Sequence, residues 1–347
     1  MFNKRILIDD IEISRNSKTF IIAEAGVNHN GSIEIAKKLI DVAVESGADA
    51  VKFQTFKTDN LILKNITKAP YQMKTSDCQE SQYDMLKRLE LTKTQTYELM
   101  EYCKKKNILF LSTPFDKESL DELDDMGIKA FKVSATDLTN IQFLKYVAKK
   151  QKPIIISAGM CYMEEVEKAL KVIEPINENV ILLQCTSNYP ILDEEANIGL
   201  IEKFKNKFNI IVGYSDHSKG VGASPYAVAI GAKVIEKHFT LDKNMEGPDQ
   251  KASISPEELK KLVEQIRIVE KYIGQGIKMP TQSEQFTRKS LQKYFVASKN
   301  IKKGDIFTDD NIVAKRTNGK GISAIYYDEL LGNVSAYDFD IDEVIRI

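Results

Sequence analysis

From residue 20 to about residue 273 the sequence keeps one beat: a short β-branched apolar run, a loop, then a longer stretch with helical spacing. The runs that read as strands are FIIAEAG (20–26), DAVKFQTF (49–56), ILFLST (108–113), KAFKVS (129–134), PIIISA (153–158), VILLQCT (180–186), IIVGYS (210–215) and KVIEKHF (233–239). Helical patterns lie between them: 33–47, 94–106, 117–127, 163–173 and 255–274. The last opens with Ser255 as N-cap, Pro256 in the first turn and then Glu257 and Glu258. Eight strands alternating with helices over about 250 residues is the size of a (β/α)8 TIM barrel, an α/β fold. An open doubly wound sheet is the alternative, but no G-x-G-x-x-G follows the first strand.

Two stretches break the beat. The segment 57–93, between the second and third strands, is long and polar, as expected of a lid or substrate loop. After Gly274 the pattern stops altogether. The expected division is a barrel domain over 1–278, a polar linker over 279–292 and a small β-rich domain over 293–347. A tail that short has little core, so it is expected to pack on the barrel or on a partner subunit.

Composition closes off several classes of function. The 49 basic and 50 acidic residues nearly cancel, leaving no footprint for nucleic acid and no polybasic patch for a membrane. The apolar run at the amino terminus is broken by Asp9, Asp10 and Glu12, unlike a secretory signal, and no stretch approaches a membrane span. Four cysteines without a CxxC pair fit a reducing, cytoplasmic setting.

In a TIM barrel the active site is built at the carboxyl ends of the strands. All three histidines, His29, His217 and His238, follow apolar runs and so fall there. Other strand ends supply Glu24, Lys52 and Gln54, Thr113, Lys132 and Ser134, Ser157, Ser187 and Tyr189, Ser215 and Asp216, and Glu236. Lysine inside an apolar strand is costly unless paired or solvated at a site. With the hydroxyls of Thr113, Ser157 and Ser215, Lys52 and Lys132 suit a phosphate or carboxylate. His217 and His238 suit a divalent metal with open positions, although two histidines do not choose among zinc, manganese and iron. The residues therefore describe a metal-assisted barrel enzyme acting on an anionic, phosphorylated small molecule.

The segments AEAGVNHNG (23–31), KFQTF (52–56), FLSTPFD (110–116), GYSDHS (213–218), EKHFT (236–240) and GPDQ (247–250) resemble the signature segments of the sialic acid synthase family. The tail, with NIKKGDIFTDDNIVAKR and GISA, is similar to the antifreeze-like (SAF) domain that ends these enzymes. The resemblance implies condensation of phosphoenolpyruvate with an acetamido hexose to a nine-carbon 2-keto sugar acid. It implies a divalent metal on His217 and His238, usually manganese, with magnesium or cobalt as alternatives. Lys52, Thr113, Lys132, Ser157 and Ser215 would then hold phosphoenolpyruvate. Glu24, Gln54, Ser187, Tyr189 and Asp249 would line the acceptor side, and Glu24 or Asp137 would move the proton. Arg316 would reach the sugar of a neighbouring subunit, since family members form homodimers that exchange SAF domains.

Some positions depart from the family pattern. Ala135 stands where a phosphate-binding serine is usual, Asp137 where a longer glutamate is usual, and Ser187 where an asparagine is usual. AEAGVNHNG, KFQTFK and ESQYDMLKRLEL look most like the branch making N,N'-diacetyllegionaminic acid. N-Acetylneuraminate synthesis from N-acetylmannosamine is the alternative within the family. A non-catalytic carbohydrate-binding protein is the alternative from another class.

Overall fold

The computed structural model describes residues 1–68 and 80–346, in two compact units, Met1–Gly274 and Gln275–Ile347. The first opens with a hairpin, β1 (Arg5–Ile8) and β2 (Ile11–Ser14). Eight parallel strands follow: β3 (Phe20–Gly26), β4 (Ala50–Thr55), β5 (Leu109–Pro114), β6 (Phe131–Val133), β7 (Ile154–Ser157), β8 (Val180–Cys185), β9 (Ile211–Asp216) and β10 (Val234–His238). They hydrogen-bond in the order β5-β4-β3-β10-β9-β8-β7-β6, and β5 packs beside β6, so the sheet curls into a nearly closed barrel. The expected fold class holds, with each expected strand within two residues of an observed one.

Side chains alternate across a strand, so one parity of each faces the barrel interior and the other faces the helices. At the amino-terminal end the interior parity is apolar. Phe20, Ile22, Ala50, Leu111, Ala130, Ile155, Ile181, Leu183, Ile211 and Val234 pack together there. Gly213 belongs to the same parity and must stay bare, because a Cβ would run into the Val234 carbonyl and the Leu183 side chain. Ile6, Ile8 and Ile13 of the hairpin join this layer and stopper the barrel from below. The sequence reading passed over that hairpin, taking its charged turn only as evidence against a signal peptide.

The opposite parity, including Ile21, Ala23, Val51, Phe53, Ile156, Leu182 and Ile235, is buried with the inner faces of the helices. Those helices are α1 (Ile33–Glu45), α2 (Thr58–Leu61), α3 (Gln82–Leu89), α4 (Lys93–Lys106), α5 (Lys117–Asp125), α6 (Ile141–Lys149), α7 (Met163–Ile173), α8 (Leu200–Phe208), α9 (Ser224–Ala229) and α10 (Pro256–Ile273). Ser255 caps α10 by accepting from the Glu258 amide, and the Glu258 carboxylate reaches back, forming a capping box. Helices α6, α8 and α9, of nine, nine and six residues, fill the strand–helix alternation expected from the sequence, although their ranges were not among the patterns named there.

In the second unit, α11 (Gln282–Leu291) occupies the stretch read as a polar linker, set by the Thr281–Glu284 capping box and burying none of its residues. Strands β11 (Lys293–Ala297) and β12 (Ile312–Arg316) pair antiparallel, and α12 (Tyr327–Leu330) follows. Phe295, Ile301, Phe307, Ile312, Leu330, Phe339 and Ile345 give this unit a core of its own.

The stopper carries a measurable consequence. Ile8→Ala removes a fully buried side chain from the bottom layer. It should cost about 2–4 kcal/mol of stability by urea denaturation, while leaving the Michaelis constants within about twofold. A loss below 0.5 kcal/mol, on the order of a surface substitution, would remove the hairpin from the barrel core.

Candidate active site at the barrel mouth

Moving up each strand, the interior parity turns from apolar to polar at mid-barrel. Two residues past Ile22 stands Glu24, past Ala50 Lys52 and Gln54, and past Leu111 Thr113. Past Ala130 come Lys132 and Ser134, past Ile155 Ser157, past Gly213 Ser215 and His217, and past Val234 Glu236 and His238. All of these line one cavity of about 530 Å³, together with Ser187, Tyr189 and Asp249 from the loops above.

At its floor two lysines and two glutamates are buried together, none more than 6 % exposed in its side chain. Lys52 Nζ sits 2.9 Å from Glu24 Oε2 and 3.6 Å from Glu236 Oε2, and donates to Thr113 Oγ1 at 2.9 Å. Lys132 Nζ donates to Ser157 Oγ at 2.7 Å and lies 3.7 Å from Glu236 Oε1. The Ser215 hydroxyl donates to Glu236 Oε1 at 2.8 Å. Glu236, read from the sequence only as a strand-end residue, is thus the hub of the cluster.

The two carboxyls respond differently to the same dry surroundings. Burial pushes Glu24 up to about 7, against the pull of Lys52 and with the push of Glu236. Burial also acts on Glu236, but Lys132 and Lys52 outweigh it and hold that carboxyl at about 2. Near neutral pH the floor holds one firmly ionised carboxylate and one that holds its proton far more tightly. Asp249, at the rim, is pushed up to about 6 by burial, with His217 opposing.

His217 and His238 stand side by side on the rim, ring centres 5.6 Å apart, with Tyr189 4.1 Å from His217 and 5.6 Å from His238. The Thr186 carbonyl can only accept, so His217 Nδ1, 2.7 Å away, is the donor. Burial works against its charged form, but Cys185, the Thr186 carbonyl and Glu236 outweigh it and raise this imidazole above its ordinary value. Burial, then His217, hold His238 well below the ordinary imidazole value, so His238 is the neutral one of the two. A backbone carbonyl fixing Nδ1 of His217 leaves its Nε2 as the ligand atom once unprotonated, and His238 is neutral with a buried Nδ1 unpartnered among the described residues. The pair therefore fits a divalent metal whose binding would displace a proton from His217. No group of three or more His, Cys, Asp or Glu side chains able to hold a metal occurs among the described residues, so other positions would fall to solvent or substrate.

Two candidates of the first unit do not line the cavity, and a third, Arg316, belongs to the second unit. His29 follows a strand but does not line the cavity; its Nδ1 accepts from the Gly31 amide at 3.0 Å, and its ring lies 6.1 Å from Phe53. Asp137 is buried beside the cavity without lining it, and its carboxylate accepts from Asn140 Nδ2 at 3.1 Å. Arg316 is exposed at the end of β12 in the second unit.

Two features went unread. Cys185 takes the interior position on β8, its Sγ 3.8 Å from His217 Nδ1. One flank of the cavity is apolar, built by Leu61, Ile62 and Leu86 of the 57–93 segment with Phe115, over a cluster of Val27, Phe56, Met85 and Leu89. The stretch 69–79 of that segment lies outside the described residues.

The NeuB family model matches residues 39–278, and the SAF domain model matches residues 292–347. The chain is 50% identical over 332 residues to the N,N'-diacetyllegionaminic acid synthase of Campylobacter jejuni, covering 95% of this chain and 99% of that one. It is 41% identical to the enzyme of the same name from Legionella pneumophila, over 90% of this chain and 89% of the other. The solved N-acetylneuraminic acid synthetase of Leptospira borgpetersenii superposes with a TM-score of 0.73 at 36% identity, covering 83% of this chain and 97% of that one.

The split between the two floor carboxyls can be measured. Glu24 keeps its proton to about pH 7 when folded, against 4.5 for an ordinary glutamate. Its contribution to stability is therefore fully present below about pH 4.5 and lost as pH rises through about 7. Glu236 has the opposite sign, losing its contribution only as pH falls through about 2, so it is silent in this window. Urea denaturation at pH 5 and pH 8 should show wild type losing stability relative to Glu24→Gln on going to pH 8. An unchanged difference would mean that Glu24 titrates normally.

Proposed function

The chain belongs to the NeuB family, and from that premise we propose how its barrel mouth performs a phosphoenolpyruvate-dependent synthesis of a 2-keto sugar acid. The observation that carries the reading is the floor of the cavity, where each of two buried lysines is held by a hydroxyl from the next strand. Phosphoenolpyruvate is a small, multiply charged anion. Lys52 and Lys132, with Thr113, Ser157 and Ser215, offer its phosphate and carboxylate charge-assisted donors in a place with little water to screen them.

The reaction joins C3 of phosphoenolpyruvate to the aldehyde carbon of the open-chain sugar. Water then adds at C2, and phosphate leaves by cleavage of the C–O bond, giving the 2-keto acid and inorganic phosphate. A divalent ion on His217 and His238, manganese in our reading, would act as a Lewis acid toward the acceptor carbonyl. Glu24 is the residue for the proton transfers: it lines the cavity, and a carboxyl at about 7 can both give and take a proton near neutrality. Asp137, beside the cavity, is the poorer placed of the two carboxyls first considered.

The acceptor lies over this floor, toward Gln54, Ser187, Tyr189 and Asp249. The apolar flank of Leu61, Ile62, Leu86 and Phe115 suits the methyl groups of acetamido substituents better than a row of hydroxyls. We therefore take a 2,4-diacetamido trideoxyhexose as acceptor and N,N'-diacetyllegionaminic acid as product, with N-acetylmannosamine the weaker substrate. In the same reading the enzyme works as a homodimer, and the guanidinium of Arg316 from the partner subunit completes the acceptor site. No helix among the described residues is long and apolar enough to cross a membrane.

Three measurements test this. Mass spectrometry of products from phosphoenolpyruvate, Mn2+ and a panel of acceptors should give the diacetamido product in excess, and equal use of N-acetylmannosamine would overturn the acceptor assignment. Lys132→Met should raise KM for phosphoenolpyruvate about 10-fold or more while changing KM for the sugar little, as expected when a charged hydrogen-bond partner of one substrate is removed. Mixing Lys52→Ala with Arg316→Ala protein should restore part of the activity once subunits exchange. No recovery after proven exchange would end the shared-site reading.

A further inference from the structure

Asp216 and Lys237 stand directly opposite each other in the β9–β10 ladder. Both carry the outer parity, so they face away from the cavity while their chain neighbours Ser215, His217, Glu236 and His238 face into it. Their side chains are 0 % and 2 % exposed, and Lys237 Nζ lies 3.1 Å from Asp216 Oδ2. The pair's other short hydrogen bonds tie down the segment after β9. Asp216 Oδ1 accepts from the amide and hydroxyl of Ser218 at 2.8 and 2.6 Å, and Oδ2 accepts from Ser224 Oγ at 2.7 Å. Lys237 Nζ donates to the Ser218 carbonyl at 2.5 Å, and Ser218 Oγ accepts from the Ala223 amide at 3.1 Å. Gly222 closes the turn against Ser218 Oγ with no room for a Cβ.

A buried ion pair is a poor way to gain stability, because desolvating two charges costs about what their attraction returns. The neighbouring outer positions, Tyr214, Ile235 and Phe239, fill the same layer without charge. What the pair supplies is location. His217 lies between Asp216 and Ser218, both pinned, and His238 follows Lys237 directly. We propose that Asp216 and Lys237 are positioning residues that lock the relative height and direction of the two histidines, and with them the affinity of the site for a divalent cation. This rests on the reading that His217 and His238 hold the metal.

The test uses the full-length protein and Mn2+ alone, with bound metal read from the loss of the free-ion paramagnetic resonance signal. His217→Ala is the control for the underlying reading. Asp216→Asn and Lys237→Met each strand a buried partner and are expected to lower the melting temperature. The double variant removes both charges together and is expected to recover most of that loss. If the pair positions the histidines, the double variant unfolds cooperatively near the wild-type temperature but binds Mn2+ about 10–100-fold more weakly. Its KM for phosphoenolpyruvate changes less than its metal affinity, because of the five residues assigned to that substrate only Ser215 shares a strand with the pair, while Lys52, Lys132, Thr113 and Ser157 lie on other strands. Wild-type Mn2+ affinity in a folded double variant, with binding lost in His217→Ala, overturns the proposal and leaves the metal reading standing. Wild-type affinity in His217→Ala overturns both.

Discussion

The structure turns on four buried charges that have to balance. Lys52, Lys132, Glu24 and Glu236 occupy one dry layer of the barrel, and removing any one leaves an uncompensated charge where water cannot repair it. The free protein solves this with its own carboxylates. An incoming anion poses the problem again, because it brings negative charge to lysines that already have partners. Glu24, held near 7, is the component able to give way, since picking up one proton turns it from a competitor for Lys52 into a neutral neighbour. Glu236, held at about 2, stays as the fixed counter-charge. Under the proposed function, substrate binding at this floor would bring proton uptake with it.

That layer exists because the strand period is two and the sheet closes on itself. The interior parity has nowhere to go but inward, so a polar residue written there is either in the site or in trouble. The exterior parity meets helices and is apolar almost throughout, which makes Asp216 and Lys237 conspicuous. Eight local alternations, each a few residues long, assemble the cavity without any one strand carrying more than a few of its groups. The mouth can therefore change acceptor through loops such as 57–93 while the floor stays the same.

The same locality explains what could be read from the sequence. Polar residues within or at the carboxyl ends of apolar strand runs announced Lys52, Thr113, Lys132, Ser157, Ser215, His217 and His238, and all line the cavity. His29 lies beyond the end of β3, in a turn, where parity no longer predicts direction. The hairpin was missed because two four-residue strands around Asp9 and Asp10 resemble a charged terminus, and its burial comes from strands distant in sequence. Helix α11 escaped because it buries nothing, so there was no stripe to see. The Asp216–Lys237 pair was illegible for a deeper reason: which residues face each other across a ladder is set by register, and register is not written in either strand alone.

The isoleucine stopper under the barrel makes the cavity a blind well. Diffusion through the far end is blocked by a packed apolar layer, so everything enters and leaves by one opening. In such a geometry the order of events is imposed by depth. With the donor on the floor and the acceptor above it, as proposed, the donor would arrive first, and the phosphate left there would wait until the larger product has lifted away. Kinetic order, usually ascribed to loops that open and close, would then begin with three side chains at the opposite end of the barrel.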